Sequence, residues 1–339
     1  MSAIPRRPRL GFLGTGWIGR HRLQAIAASG LAEISAIADP VAANAEAALT
    51  WAPAATVVAG LPELLGMELD GIVIATPSAL HAEQAITALG LGYAVFCQKP
   101  LGRSAEETAR VVEAARSADR LLEVDLSYRH LTGARLVRQL VQDGALGDVY
   151  AADLVFHNAY GPDKPWFYDP ALSGGGCVID LGIHLVDLAL WTLAFPAVSG
   201  VSARLFAGGV PLAGSAHPIE DYAVATLDLG NGAVVRLACS WNLSAGCDAV
   251  IGAEFHGTMG SASLHNVGGS FYDFTATRAR GTTRETLAGP PEDWGGRAAV
   301  AWVRALADGQ GYDDRAEHLV SLASAIDDIY GRTSLVGAA

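Results

Sequence analysis

The fold is decided by the stretch Arg9–Gly19, which reads Arg-Leu-Gly-Phe-Leu-Gly-Thr-Gly-Trp-Ile-Gly. Its apolar start predicts a buried strand over Arg9–Leu13, and the residues that follow predict a helix over Trp17–Ala28. Between them lies a G-x-G-x-x-G pattern, whose glycines allow a tight turn, a close backbone approach to a pyrophosphate and close helix packing. The N–H groups that open such a helix attract phosphates. The pattern therefore predicts a dinucleotide site containing Gly14, Gly16, Trp17, Ile18 and Gly19.

An acidic residue follows this pattern at the distance expected of a ribose-binding group. Asp39 lies 20 positions after Gly19, at the end of a second predicted strand, Ala32–Ala38. A carboxylate there accepts hydrogen bonds from the adenosine ribose hydroxyls and repels a 2′-phosphate. No Lys or Arg follows before Lys99, so the sequence favours NAD over NADP. The alternative interpretation is a glycine-rich turn that binds no ligand.

The first third of the chain alternates strand-like and helix-like segments, which is typical of a parallel sheet covered on both faces. After about residue 126 the pattern changes to an α+β arrangement, in which successive strands over residues 198–277 predict an antiparallel meander. We therefore expect an α/β Rossmann domain (a doubly wound parallel sheet) over residues 1–126. A C-terminal α+β domain with a large, mostly antiparallel open sheet is expected over residues 127–339.

Composition and charge narrow the class of protein. The 339 residues favour two domains, and 51% hydrophobic with 17% charged residues indicates a folded chain. The net charge of −12 disfavours nucleic acid as a partner. We find no signal-peptide pattern, no apolar run long enough to span a membrane and no metal-ligand spacing among the four cysteines. A cytoplasmic protein without membrane partner or bound metal is expected.

Lysine is scarce in this chain. Of the 23 basic residues only Lys99 and Lys164 are lysines, and the other 21 are arginines. In a chain that uses arginine for almost every basic residue, a lysine is expected at positions where arginine cannot replace it. Lys99 ends a predicted strand, Tyr93–Cys97, and ligands of parallel sheets bind at the carboxyl ends of strands. Lys99 is therefore a candidate site residue, the alternative being a surface lysine after a strand.

A predicted apolar helix, Cys177–Leu193, carries three polar residues on one face. Asp180, His184 and Asp187 are spaced i, i+4 and i+7. Burying an ionisable group costs free energy, so such groups are usually paired or take part in function. An Asp one turn from a His can orient the imidazole and raise its basicity, which suits a general base. A purely structural Asp–His pair is the alternative.

Taken together, these residues resemble the Gfo/Idh/MocA family of NAD(P)-dependent oxidoreductases, which includes inositol and sugar dehydrogenases. The resemblance is carried by the glycine pattern, by Ile74–His81, by Gln98-Lys99-Pro100, and by Gly174–Gly176 leading to Asp180-x-Gly182-x-His184. It implies a C-terminal domain that binds substrate and often forms homodimers or homotetramers. It further implies that Lys99, Asp180 and His184 are catalytic and that Thr76, Pro77 and His81 lie along the cofactor.

One residue departs from the family pattern. The family usually has Glu before the Lys-Pro pair, where this chain has Gln98. An amide can still bond a ribose hydroxyl, so Gln98 remains a cofactor candidate, but it carries no charge to hold the Lys99 ammonium.

The expected reaction moves a hydride between nicotinamide and a secondary alcohol of a sugar, sugar derivative, polyol or inositol. His184 would take the hydroxyl proton, Asp180 would orient the imidazole, and Lys99 would polarise the substrate oxygen. A loop rich in aromatic and hydrogen-bonding groups supplies further substrate candidates, as does the start of the second domain: His157, Asn158, Tyr160, Lys164 and Trp166, with Tyr128 and Arg129. Each of the loop residues has an alternative role in ordinary packing.

Two other functions fit the same scaffold. Some relatives hold NAD tightly and use transient oxidation within glycoside hydrolysis. Others would bind NAD without catalysis, as regulators, but the intact set of Lys99, Asp180 and His184 disfavours that.

Overall fold

The computed structural model describes residues 7–212 and 219–332. The first six residues of the basic N-terminus and residues 213–218 of the predicted meander lie outside this part of the chain. The strands are β1 (Arg9–Leu13), β2 (Glu33–Ala38), β3 (Thr56–Val58), β4 (Gly71–Ile74), β5 (Ala94–Cys97), β6 (Leu122–Val124), β7 (Val149–Asn158), β8 (Val198–Ala207), β9 (Val210–Pro211), β10 (Tyr222–Leu229), β11 (Val234–Ser240), β12 (Ala249–Gly257), β13 (Gly260–Asn266), β14 (Phe274–Arg280) and β15 (Thr283–Ala288). The α-helices are α1 (Trp17–Ser29), α2 (Ala42–Leu49), α3 (Leu61–Leu65), α4 (Ser78–Gly90), α5 (Ala105–Ala118), α6 (Thr132–Gln142), α7 (Pro170–Ser173), α8 (Ile183–Thr192), α9 (Arg297–Ala307) and α10 (Glu317–Ile329).

Six parallel strands form the sheet of the first compact unit, in the order β3-β2-β1-β4-β5-β6. The order reverses between β1 and β4, which is the point where doubly wound sheets bind ligands. This arrangement confirms the predicted Rossmann fold. The sequence analysis did not predict β3 or α3, because β3 is only three residues long and mostly exposed.

The chain divides differently from the predicted ranges 1–126 and 127–339. Within the described residues, the first unit comprises 7–102, 106–127 and 295–320, and the second comprises 103–105, 128–212, 219–294 and 321–332. The division differs because the apolar face of α9 packs into the core of the first unit. Trp302, which is 1% exposed, packs its ring against Phe96 with 5.7 Å between centroids. A Cβ added at Gly71 would lie 2.8 Å from the same ring.

The second unit is built on nine strands in the order β15-β14-β13-β12-β7-β11-β10-β8-β9. Its strands are antiparallel neighbours except for β7 and β11, which run parallel. The sheet is therefore mostly antiparallel, as predicted, but it is not a simple meander, because β7 enters the centre from earlier in the chain. Helix α6 contacts β13 and β14, and α8 contacts β7, β11 and β12.

A helical stretch in the second unit is long and apolar enough to cross a membrane by length and composition alone. It spans Pro170–Thr192, and 78% of its most apolar window is buried inside the protein. Such burial is what a core helix shows, and a core helix passes the same test. The stretch consists of α7, a π-turn over Val178–Gly182 and α8.

The placement of α9 predicts a large effect of Trp302 on stability. Trp302→Ala removes a ring buried in the core of the first unit, and we expect the free energy of unfolding to fall by about 3–5 kcal/mol. Trp51, which is 45% exposed in the same unit, provides the matched control, and Trp51→Ala is expected to cost about 0.5 kcal/mol or less. Urea unfolding of both variants measures the difference. Equal losses would contradict the packing of α9.

Candidate functional site

The glycine-rich turn after β1 has the geometry that its pattern predicts. Gly14 has a φ of +90°, and a Cβ added there would lie 2.5 Å from the Ala75 carbonyl oxygen. At Gly19 an added Cβ would lie 2.2 Å from the Gly14 carbonyl oxygen. The fold itself therefore requires both glycines. Gly14 is needed for its left-handed backbone conformation, and Gly19 is needed because the Gly14 carbonyl packs closely against it.

Gly16 differs, because a Cβ added there would meet nothing within 4 Å. Gly16 precedes α1, which has neither a side-chain cap nor an acidic residue in its first turn. The uncapped N–H groups and the open space beside Gly16 fit a dinucleotide pyrophosphate. Trp17 is 62% exposed and stacks on His21, with 5.9 Å between ring centroids. Ile18 is half-buried.

Asp39 lies at the end of β2, where it holds the glycine-rich turn. Its Oδ2 accepts hydrogen bonds from the Thr15 backbone N–H at 2.6 Å and the Thr15 hydroxyl at 3.2 Å. Its Oδ1 accepts from the Val41 N–H at 2.9 Å and the Asn44 amide at 3.2 Å. The carboxylate is thus fixed beside the turn, in the position predicted for a ribose-binding group.

The turn after β4 contains the residues that the family resemblance placed along the cofactor. Thr76 is half-buried, and its hydroxyl donates to Gln84 Oε1 at 2.6 Å. Pro77 precedes α4. His81 is 1% exposed, with Nδ1 2.7 Å from the Pro100 carbonyl oxygen and Nε2 2.6 Å from the Thr76 carbonyl oxygen. Both ring nitrogens of His81 thus face backbone inside the protein, and its position along the cofactor remains a prediction.

Gln98 and Lys99 follow directly after β5, at the carboxyl end of the parallel sheet. The Gln98 side chain turns back to its own backbone, where Oε1 accepts from the Lys99 N–H at 2.9 Å. Both residues are half-buried. Lys99 thus lies at the sheet edge where ligands of this fold class bind.

In the second unit, a buried glutamate caps the segment Gly174–Gly176 before the polar helix. Glu220 Oε1 accepts hydrogen bonds from the N–H groups of Gly176 and Val178 at 2.9 and 3.0 Å and from the Tyr330 hydroxyl at 2.7 Å. Burial raises the pKa of Glu220 above its ordinary value, and these donors oppose that rise. The capped segment leads into the π-turn.

Asp180 lies within the π-turn Val178–Gly182, and π-turns are frequent at functional sites. Its Oδ2 accepts a hydrogen bond of 3.0 Å from the indole Nε1 of Trp241. The insertion changes the predicted helix Cys177–Leu193, of which only Ile183–Thr192 is regular α-helix.

His184 lies on α8 among aromatic rings. Its ring centroid is 4.9 Å from that of Tyr128 and 6.2 Å from that of Phe156. Tyr128 is 7% exposed and also contacts Trp294 at 5.0 Å. The structure therefore brings the substrate candidate Tyr128 to the proposed general base, although as part of a packed aromatic cluster.

Arg129, a predicted substrate residue, forms an ion pair with Asp187 of α8. Arg129 donates to both oxygens of Asp187, with Nε 2.9 Å from Oδ2, and its guanidinium lies over the Phe195 ring. Burial raises the pKa of Asp187, and the Arg129 charge opposes that rise. Arg129 is therefore committed to a structural pair rather than to substrate, and Asp187 is its partner.

Strand alternation places His157 on the sheet face opposite Phe156. Phe156 contacts His184, so the adjacent His157 points to the other face of the sheet. There its Nδ1 lies 2.8 Å from the Ser240 hydroxyl, and its ring stacks on Tyr222. Asn158 shares the face of Phe156, and its Oδ1 is buried without a hydrogen-bond partner in the described structure.

The remaining loop candidates lie between β7 and α7. Tyr160 is 51% exposed, with its ring 6.3 Å from that of Phe271. Trp166 stacks on Phe167 with 3.8 Å between centroids. The Lys164 side chain is 61% exposed and donates to Asp163 at 2.9 Å.

Sequence reasoning missed two residues of this site, Glu220 and Trp241. Both contact the polar segment from just outside a strand, Glu220 before β10 and Trp241 after β11, at separations of 44 and 61 residues from their partners. A buried carboxylate or indole partner at such a distance leaves no periodic signal in one sequence.

Two domain models of one oxidoreductase family match the chain. Residues 9–126 match the oxidoreductase family with an NAD-binding Rossmann fold, and residues 134–263 match the GFO/IDH/MocA C-terminal domain. The chain belongs to the Gfo/Idh/MocA family. The resemblance noted from the sequence is thereby confirmed, and its first domain is an NAD(P)-binding domain.

Named relatives in this family act on sugars and inositol. D-glucoside 3-dehydrogenase of Escherichia coli is 29% identical over 59% of this chain and 60% of the relative, so the alignment spans about three fifths of that enzyme. Inositol 2-dehydrogenase 3 of Saccharopolyspora erythraea is 27% identical over 97% of this chain and 91% of the relative. A levoglucosan dehydrogenase solved with NADH has a TM-score of 0.82 at 22% identity, covering 96% of each chain, which shows the shared fold.

The glycine geometry separates a structural from a binding effect. Gly19→Ala forces a Cβ onto backbone, and we expect it to lower the free energy of unfolding by about 1–3 kcal/mol. Gly16 has a φ of −55° and open space, so Gly16→Ala should change stability by about 0.5 kcal/mol or less while raising the Kd for NADH about tenfold or more. Thermal melts and fluorescence titration measure both. A Gly16→Ala variant that binds NADH like the wild type would contradict this site.

Glu220 carries a pH-dependent prediction. Because its folded pKa is raised, its full contribution to stability is present below pH 4.5 and is lost as the pH rises through the folded pKa. Glu220→Gln keeps one oxygen for the same three donors without a charge to bury. We therefore expect this variant to gain stability relative to the wild type as the pH rises from 4.5.

Glu220→Ala is the matched comparison, since it leaves two buried N–H groups without an acceptor. We expect it to lose about 2–4 kcal/mol. Urea unfolding across the pH range compares the three proteins. A constant difference between Glu220→Gln and the wild type would show that burial of the charge does not govern this cap.

Proposed function

We propose that this protein is an NAD-dependent oxidoreductase that moves a hydride between nicotinamide and a secondary alcohol of a sugar, sugar derivative, polyol or inositol. The observation that carries the proposal is the placement of His184 one turn after Asp180, on a buried helix in which Asp187 is neutralised by Arg129. His184 and Asp180 are the two polar groups of this face to which we assign the chemistry. The sugar and inositol substrates of named relatives support the substrate class.

In the proposed reaction His184 is the general base. The bound nicotinamide supplies the hydride acceptor. The His184 imidazole takes the hydroxyl proton of the substrate, and Asp180 orients the ring and stabilises the cation that forms. The His184 ring packs against the aromatic rings of Tyr128 and Phe156, which restrict its orientation.

Lys99 is proposed to donate a hydrogen bond to the substrate oxygen as it becomes a carbonyl. An ammonium is a compact charge that fits beside one oxygen, whereas a guanidinium is a wide planar fork. Gln98 leaves the Lys99 charge without the neighbouring carboxylate that the family usually has. The N–H···Oε1 bond between these residues fixes the Gln98 amide instead.

NAD is the proposed cofactor, with NADP less favoured. Asp39 places a carboxylate beside the glycine-rich turn, where it would repel a 2′-phosphate. Thr76, Pro77 and Gln98 lie at the same carboxyl edge of the sheet and are proposed to line the cofactor.

Several residues of the second unit are proposed to bind the sugar or polyol. Asn158 has a buried amide oxygen without a partner, on the sheet face that carries Phe156. A substrate hydroxyl would satisfy that oxygen. Tyr160 offers an exposed aromatic ring to C–H groups. Trp166 and Lys164 are weaker candidates, because Trp166 already stacks on Phe167 and Lys164 already pairs with Asp163.

We further propose a cytoplasmic homodimer or homotetramer. The nine-stranded sheet supports self-association, because α8 contacts its central strands β7, β11 and β12 from one face and a partner could cover the other face. The face that carries Asp153 and Arg236 is partly exposed.

Enzyme assays test the proposed function directly. A panel of polyols, aldoses and inositols with NAD and NADP is expected to produce NADH absorbance with at least one substrate. Net NADH also separates a dehydrogenase from a glycoside hydrolase that reoxidises its nicotinamide. We expect His184→Ala to lower kcat about 10²–10⁴-fold, and Lys99→Arg to lose most activity with an unchanged Kd for NADH. Near-wild-type turnover of both variants would refute the assignment.

A further inference from the structure

Trp241 lies at a position from which it can control Asp180. It follows directly after β11 and is 3% exposed. Its indole Nε1 donates to Asp180 Oδ2 at 3.0 Å. Trp has one N–H donor and no acceptor, so in this contact the indole is the donor and the carboxylate oxygen is the acceptor.

The π-turn that holds Asp180 rests closely on β11. A Cβ added at Gly182 would lie 3.2 Å from the Sγ of Cys239, two residues before Trp241. The close approach fixes the distance between the turn and the strand end. It thereby sets the position of the indole relative to the carboxylate.

The indole is held from its other sides as well. The Trp241 backbone N–H donates to the Asp221 carbonyl oxygen at 2.7 Å. Its ring meets Tyr168 at 5.6 Å and Phe167 at 6.5 Å, both with edge-to-face geometry. A donor fixed in this way holds the carboxylate in one orientation, whereas a flexible donor would follow it.

We propose that Trp241 is a positioning residue for Asp180. The inference rests on the proposed function, because it assigns Trp241 a role in how Asp180 serves His184. The indole N–H holds Oδ2 through the 3.0 Å hydrogen bond, which restricts the rotation of the carboxylate. The Asp180 carboxylate thereby keeps the orientation in which it serves the imidazole. Trp241 itself transfers no proton and touches no reacting atom.

A double-mutant cycle tests this role in the full-length protein. Trp241→Phe removes the donor and keeps an aromatic ring, and we expect kcat to fall about tenfold to a hundredfold with an unchanged Kd for NADH. In the Asp180→Asn background, where the carboxylate is already absent, Trp241→Phe is expected to change kcat about twofold or less. A purely structural role would give the same loss in both backgrounds.

Trp302→Phe is the matched control. Trp302 is another buried tryptophan, but its Nε1 has no hydrogen-bond partner in the described structure. Its substitution removes the same atoms without removing a hydrogen bond, and we expect kcat to stay within about twofold of the wild type.

A spectroscopic measurement keeps the test decisive if a variant folds poorly. In protein labelled with ¹⁵N-tryptophan, the indole resonance that Trp241→Phe removes is expected to shift in Asp180→Asn, while the Trp302 resonance stays in place. An unshifted Trp241 resonance would overturn the proposal.

The outcomes separate this inference from the proposed function. If Asp180→Asn loses turnover while Trp241→Phe keeps it, the positioning role is wrong and the proposed function stands. If equal losses appear in both backgrounds, the role is again wrong. If the wild type yields no NADH with any substrate of the panel, the proposed function fails, and the positioning role fails with it.

Discussion

The buried carboxylate of Glu220 is the constraint on which the second unit depends. Two backbone N–H groups and the Tyr330 hydroxyl converge on one of its oxygens, and the Glu220 carbonyl accepts a further bond from the Cys177 N–H. A Cβ at Gly176 would lie 2.0 Å from that carbonyl. The glycine segment can therefore enter the helix in only one way, and the positions of Asp180 and His184 follow from that entry.

The polar residues of the helix are stabilised by three different means. Asp187 is paired with Arg129, Asp180 accepts from Trp241, and His184 is surrounded by aromatic rings. An ion pair compensates a buried charge most fully but also occupies it. A hydrogen bond from an indole compensates a buried carboxylate less than an ion pair does.

Much of the fold could be predicted from the sequence, because strong periodicity determines it. The bounds of β1 agree with the predicted Arg9–Leu13, and α1 ends one residue beyond the predicted Trp17–Ala28. The packing of α9 with the first unit could not be predicted, because the periodicity of a helix identifies its apolar face but not the core against which that face packs. For the same reason the parallel pairing of β7 with β11 has no local signal.

Prediction of the site was uneven for reasons that the residues make clear. The motif glycines, Asp39 and Asp180 are identified by spacing, because one helix or one turn presents them. Strict alternation places His157 opposite Phe156, so the face that it occupies could be predicted from the strand pattern. The ion pair of Arg129 could not be predicted, because its partner Asp187 lies 58 residues away.

The His81 ring has a consequence for the turns that it joins. A neutral imidazole has one N–H, yet both of its nitrogens face carbonyl oxygens, those of Pro100 and Thr76. Burial lowers the pKa of His81 and so opposes a second proton. Only one carbonyl is bonded at any moment, and the other faces a lone pair. The turns after β4 and β5 therefore compete for one N–H group. A change of tautomer moves the hydrogen bond from one turn to the other and leaves the core beneath them packed.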